Sequence, residues 1–262
     1  MHRSRGFTLV ELFLVIAMVV VIAGILLPAL SNAREQSRRA TCLSNLRQLH
    51  AAYVQYASEN DGVVLPCDKI HVQRGFSADE QANDIPPLRV YTHDSRVFHC
   101  ISDERQQAHG SPRSYSINDY LGGSFGYPDL GPGHPIPKHA MYLRNVTNAA
   151  GTFLWIEETP VTTLNGFTGG FVVLQYPLQL WVDFPGILHR NGTCIVFVDG
   201  HSEFLSWSDQ GTATLERTWA LETIKRPYLS AVPTSKQADL PDTSHDLLRL
   251  QTISGNGGVR SQ

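Results

Sequence analysis

His189, Asp199 and His201 are the residues whose types and spacing most resemble a chemical site. Nine residues separate His189 from Asp199, and only Gly200 stands between Asp199 and His201. Two imidazoles and a carboxylate are a zinc-type donor set if neighbouring strands bring them together. Calcium fits less well, because it takes six to eight oxygens and imidazole serves it poorly. A structural account is also complete: Asp199 and Gly200 suit a tight turn, and His189 can hydrogen-bond a neighbouring loop. No metal is assigned to the three, and no cofactor is expected. The four cysteines are Cys42, Cys67, Cys100 and Cys194. They allow three pairings in an oxidising compartment. Cys67 and Cys100 share a loop-rich stretch and are the expected pair, whereas Cys42 on a helix and Cys194 on a strand read as small buried apolar groups. No Cys-x-x-Cys occurs, so neither dithiol redox chemistry nor a cysteine-rich zinc site is supported.

Glu11 is the remaining unusual group. No Asp, Glu, Lys or Arg follows it until Arg34, and residues 7–30 are nearly all Leu, Val, Ile, Ala, Met and Phe. About 20 such residues span a bilayer core as a helix. A charge at the centre of such a span costs roughly 2.5–3.5 kcal/mol on insertion scales, and less near its end. A carboxylate there wants a partner.

Catalytic patterns are weak. The sequence holds no P-loop and no His-Glu-x-x-His, and its Gly-x-Ser-x-Gly match, Gly122–Gly126, falls in a stretch rich in Gly and Pro and not between a strand and a helix. Its eleven histidines are scattered. Glu157 and Glu158 are adjacent, which on a strand sends them to opposite faces and not into one carboxylate pair. The chain is therefore not expected to be an enzyme. A net charge of −3 over 262 residues gives no electrostatic footprint for nucleic acid, and none is expected as a partner.

The elements that must position these groups follow from periodicity. After Pro28 a helical stripe runs through Leu43, Leu46, Leu49 (or His50), Tyr53, Val54 and Ala57, with Arg39, Asn45, Arg47, Gln48, Gln55 and Glu59 opposite. Glu59-Asn60-Asp61-Gly62 ends that helix. Beyond it the texture is β-like, with short runs between Gly, Pro, Asn and Asp. Val63–Leu65 is brief. Strands are expected at Ser114–Asn118, Thr152–Glu158, Phe171–Gln175 and Leu178–Val182. Thr193–Val198 and His201–Ser206 flank Asp199-Gly200, which predicts a two-residue hairpin turn with both residues at positive φ, and Asn191-Gly192 predicts a second turn upstream. Trp155 and Trp181 lie in apolar strands and read as core. From about Pro227 the chain turns polar, and Leu247-Leu248-x-Leu250 is its one apolar knot.

Gly6-Phe7-Thr8-Leu9-Val10-Glu11-Leu12, placed just before the apolar span, closely resembles the signal of type IV prepilins and type II secretion pseudopilins. A secretory signal peptide would have its cleavage site after an apolar run of 7–15 residues, not before a longer one. The resemblance implies cleavage between Gly6 and Phe7 by prepilin peptidase, N-methylation of Phe7, an assembly role for Phe7 and Glu11, and a kinked or melted helix at Pro28. It also implies an inner-membrane single-pass protein with a periplasmic head, later a filament at the cell surface. Its partners would be the peptidase, copies of itself and other pilins or pseudopilins, and an inner-membrane assembly platform. His189-x9-Asp199-Gly200, with Cys42-x-x-Asn45-Leu46-Arg47-Gln48, Phe98-x-Cys100-x-Ser102-Asp103 and Ser114-Tyr115-x-x-Asn118, resembles a prepilin-like group abundant in planctomycetes. Ile101 departs from it, where that group often has Pro.

The expected architecture is α+β and pilin-like. It comprises a leader (1–6), a membrane and filament-core helix (7–30), its amphipathic continuation (31–60), an antiparallel β head (61–226) and a polar C-terminal tail (227–262). The expected function is a structural subunit of a type IV pilus-like or type II secretion pseudopilus filament. The alternative is a minor pseudopilin, tip adhesin or membrane-tethered binding protein.

Overall fold

The computed structural model describes residues 8–65, 86–92, 94–103, 113–121, 142–158, 171, 185–208 and 244–253. Gly6, Phe7, Cys67, Trp181 and the expected strand at 178–182 lie outside the described residues, as does all but Phe171 of the strand expected at 171–175.

Helix α1 runs from Leu9 to Glu59, 51 residues. Its start is a capping box. Thr8 Oγ1 accepts from the Glu11 backbone N–H at 3.3 Å, and the Thr8 N–H and hydroxyl both donate to Glu11 Oε2, at 2.9 and 2.8 Å. Pro28 sits inside α1 and the helix continues through it, so it is not melted there. The cost is one missing backbone donor. Asp61 and Gly62 take left-handed φ values of 56° and 80°, and the Gly62 N–H closes the last turn on the Ala57 carbonyl at 2.7 Å.

The two halves of α1 have different fates. No residue from Leu9 to Leu30 is buried, and the apolar side chains there project outward. Cys42, Leu46, Leu49, Ala52, Tyr53 and Ala57 are buried. The stripe read from the sequence is nearly this one, except that Val54 is exposed and Cys42 and Ala52 are inside.

The head is a four-stranded antiparallel sheet in the order β1-β2-β3-β4, with β1 Tyr115–Ile117, β2 Phe153–Glu157, β3 Gly192–Phe197 and β4 Ser202–Ser206. A short helix, α2 (Pro86–Arg89), and a 3-10 turn at Ser95–Phe98 complete the side near α1. The register slips at β2, where Phe153 pairs with Phe197 and Trp155 with Val196. The extra residue, Leu154, forms a bulge that lets Leu154 and Trp155 face the same core.

Two cores lie on opposite faces of the sheet. The first fills the space between α1 and the sheet, with Trp155 edge-on to Tyr53 at 6.2 Å. The second joins Phe153, Ile156, Phe171, Ile195, Phe197, Leu205 and Trp207. It is closed by Leu247 and Leu250 of helix α3 (Ser244–Ile253), a segment within the stretch read from sequence as a polar tail. Asp246 fixes α3 by accepting from the Ser208 N–H and hydroxyl at 3.1 and 3.0 Å. The whole is the α+β, pilin-like arrangement of a long N-terminal helix on an antiparallel sheet.

Candidate functional site

The β3–β4 hairpin differs from its sequence reading. The Phe197 N–H donates to the His201 carbonyl, so the loop has three residues, Val198 to Gly200. Only Gly200 is left-handed, at φ 94°, while Asp199 is not. A turn followed by one left-handed residue is the usual three-residue solution, so the two-residue turn is corrected to this one. Upstream, Arg190 and not Asn191 takes the positive φ, 55°. Gly192 instead answers a close approach, since a Cβ there would stand 2.1 Å from Phe204 Cζ and 2.5 Å from the Leu205 carbonyl.

The three metal candidates are not brought together. Asp199 and His201 sit exposed at the hairpin tip, where Asp199 Oδ1 meets His201 Nδ1 at 2.6 Å and the imidazole stacks on Phe197 at 4.1 Å. His189 lies before the other end of β3 and is fully buried. Six strand residues, about 20 Å, separate the two places. The tip serves packing instead, because Val198 O contacts His50 Nε2 at 2.9 Å. A Cβ on Gly200 would come within 3.0 Å of His50 Cε1.

What surrounds His189 is a polar cluster inside the first core. The hydroxyl of Ser102 lies 3.4 Å from its Nδ1 and Glu35 Oε1 lies 3.1 Å from it, while Glu35 is also paired with Arg39 at 3.1 Å. Its Nε2 lies 3.3 Å from Cys100 Sγ and 3.2 Å from Glu157 Oε1. Cys42 Sγ is 2.8 Å from Cys100 Sγ. Cys100 is thus placed against Cys42 of α1, and its expected partner Cys67 is outside the described residues. Glu157 Oε2 accepts from the Cys194 N–H at 2.7 Å, and Oε1 has only its contact with His189 Nε2. Glu158 points to the other face, onto the Ser116 hydroxyl, as strand alternation predicts.

Burial and mutual contact shift Cys42, Cys100, Glu157 and His189. The hydrogen bond between Cys42 and Cys100, with help from His189 and Tyr115, outweighs burial and pulls the Cys42 thiol down to about 5. Burial pushes the Cys100 thiol up, and the Cys42 contact adds to it. Burial raises the Glu157 carboxyl, and the His189 contact only partly offsets this. Burial alone would lower His189, but hydrogen bonds with Cys194, Cys42 and Glu157 reverse the sign and lift it to about 12.

Sequence reasoning grouped His189 with Asp199 and His201, weighed Glu157 only as a pair with Glu158, and did not foresee Glu35 or Glu157 beside His189. Cys42, Cys100, Glu157 and His189 come from α1, the loop after the 3-10 turn, the end of β2 and the loop before β3. A spacing rule sees only ligands that are neighbours along the chain. The usable signal was Glu157, a carboxylate ending an otherwise apolar strand.

The other functional element is the apolar half of α1, which is long and apolar enough to cross a membrane. Glu11, its one charge between Leu9 and Leu30, is turned back onto Thr8 at the helix start. Over 59 residues the chain is 36% identical to the type IV major pilin protein PilA of Myxococcus xanthus (strain DK1622). That segment is 22% of this chain and 27% of the pilin, so the likeness spans about a quarter of the relative's length. No family model matches the chain, and no solved structure matches it.

Proposed function

We propose that this chain is a structural subunit of a type IV pilus-like or type II secretion pseudopilus filament, built on residues 7–30 as its membrane and filament-core helix. The observation that carries this reading is the division of α1. One continuous helix presents an unburied apolar half with a single acid, and then docks its second half in a separately packed head. In water alone an apolar surface of that size is a liability. In a bilayer, and then in a bundle of like helices, it is the part that holds subunits together. The partial likeness to a major pilin supports the same reading.

Processing by prepilin peptidase between Gly6 and Phe7 exposes a cationic amine at Phe7, methylated in this reading. That amine of one subunit meets the Glu11 carboxylate of its neighbour. Two charges in low dielectric each carry a penalty of several kcal/mol unless paired, so the correct register satisfies both and a slipped register satisfies neither. The Thr8–Glu11 capping box supplies the carboxylate with donors until that partner arrives. Pro28 is where the spine bends.

The deciding experiment is expression with and without a prepilin peptidase, followed by intact-mass and fragmentation analysis of the N-terminus. A mature chain beginning at N-methyl-Phe7 is expected. A leader left intact by active peptidase, or a cut near Ala29, removes the pilin reading. A head of this size also suits a low-copy subunit, such as a minor pseudopilin or tip adhesin. Copy number per filament separates the two.

A further inference from the structure

We infer that Cys42, Cys100, Glu157 and His189 form a divalent-metal site of the zinc type, which ties the long helix to the sheet. The four donor atoms lie within 4.8 Å of one another, and all four residues are buried. Two sulfurs, one imidazole nitrogen and one carboxylate oxygen make a four-coordinate set for a borderline-soft ion, whereas calcium and magnesium want oxygen.

Three further observations favour a metal over a plain polar cluster. The first is the orientation of His189. Its Nδ1 is occupied by Glu35 at 3.1 Å and Ser102 at 3.4 Å, so Nε2 is turned toward the thiols and Glu157. A carboxylate behind the distal nitrogen is the outer arrangement that fixes a metal-bound imidazole in its tautomer. The second is Glu157, whose Oε2 is held by the Cys194 N–H while Oε1, fully buried, faces into the cluster with His189 Nε2 as its one neighbour, at 3.2 Å. That is the state of a one-oxygen ligand. The third is the spacing already present. Cys100 Sγ to His189 Nε2 is 3.3 Å and His189 Nε2 to Glu157 Oε1 is 3.2 Å. Ligands around tetrahedral zinc stand about 3.3–3.8 Å apart, given bond lengths near 2.0–2.3 Å. The sulfurs, at 2.8 Å, open by about 1 Å.

A disulfide between Cys42 and Cys100 is the competing chemistry. It would use two of the four groups and leave Glu157 Oε1 and His189 Nε2 buried with only each other. A metal uses all four. On binding, the Cys100 thiol proton, and any proton on Cys42, Glu157 or His189 Nε2, passes to solvent, so affinity rises with pH.

The test uses the full chain in detergent micelles, kept reduced by a weakly coordinating phosphine and titrated with Co2+. The wild-type chain is expected to bind one Co2+ with thiolate-to-cobalt charge-transfer bands in the near ultraviolet and tetrahedral d–d bands in the visible, both bleached by Zn2+. Cys42→Ala abolishes the bands, and Cys67→Ser leaves them unchanged. Glu35 is a positioning residue, so Glu35→Gln keeps the tetrahedral spectrum and weakens affinity about 10–100-fold. The wild-type spectrum does not depend on any variant folding. An octahedral, aqua-like cobalt spectrum from the reduced chain overturns the site. So does a Cys42–Cys100 disulfide found by mass spectrometry in chain isolated from its native compartment without reductant.

Discussion

Gly192 lies where β3 passes beneath the ring of Phe204, with no space for a methyl group between them. Because the Leu205 carbonyl would also stand too close, at 2.5 Å, a Gly192→Ala change cannot be absorbed by one ring turning aside. Overpacking of this kind costs about 1–3 kcal/mol, and Gly192→Ala is expected to lower head stability by that amount in chemical denaturation followed by tryptophan fluorescence. Gly200 is constrained by its backbone, since a left-handed φ costs an L-residue roughly 1–2 kcal/mol. Gly200→Asn should therefore be tolerated better than Gly200→Val in the same assay. His99 makes a different prediction. Both its ring nitrogens are buried without hydrogen bonds, and burial lowers its pKa from 6.5, with Asp103 opposing. The unfolded chain binds a proton as pH falls below 6.5 and the folded chain resists it, so stability is lost as pH drops through the window beneath 6.5. His99→Phe is expected to flatten that part of the stability–pH profile, and an unchanged slope would place the acid sensitivity elsewhere. At this scale the sequence was a partial guide. Asp199-Gly200 announced a turn, but the extra residue in the loop depends on how β3 and β4 pair. The fate of His189 depends on α1, more than a hundred residues away.

The elements were mostly legible. The 3.6-residue stripe of α1, its stop at Asp61-Gly62 and the strands β1 to β4 follow from local patterns that tertiary packing leaves in place. Helix α3 was hidden, because Leu247 and Leu250 make a single apolar turn in a polar context and become helical by closing the second core. Leu250 is fully buried there. Leu250→Ala is expected to cost about 2–5 kcal/mol. The same change should shift Trp207 emission to the red while leaving Trp155, on the other face, in place. A variant that unfolds no more readily than wild type would mean that α3 is an accessory to the head.

On the scale of the whole molecule, the apolar half of α1 and the head are separate jobs joined by one helix. Glu11→Ala in a strain with active peptidase is expected to leave cleavage nearly intact and to reduce assembled filament at least tenfold, read as sheared surface protein against total. Normal yield would remove the charge-pairing account. The apolar half could be read from composition because a helix long and apolar enough to cross a membrane needs little beyond length and apolarity. The buried cluster could not, because four groups from four segments meet only once the sheet has closed on the helix.

Every buried residue of α1 lies between Cys42 and Ala57, on the side of the helix that faces the sheet. A pull on the apolar end therefore enters the head along the helix axis. It loads that whole row of contacts at once, in shear, and does not peel them open one by one. The joint between anchor and head is thus strongest in the direction in which a tethered fibre under tension would strain it.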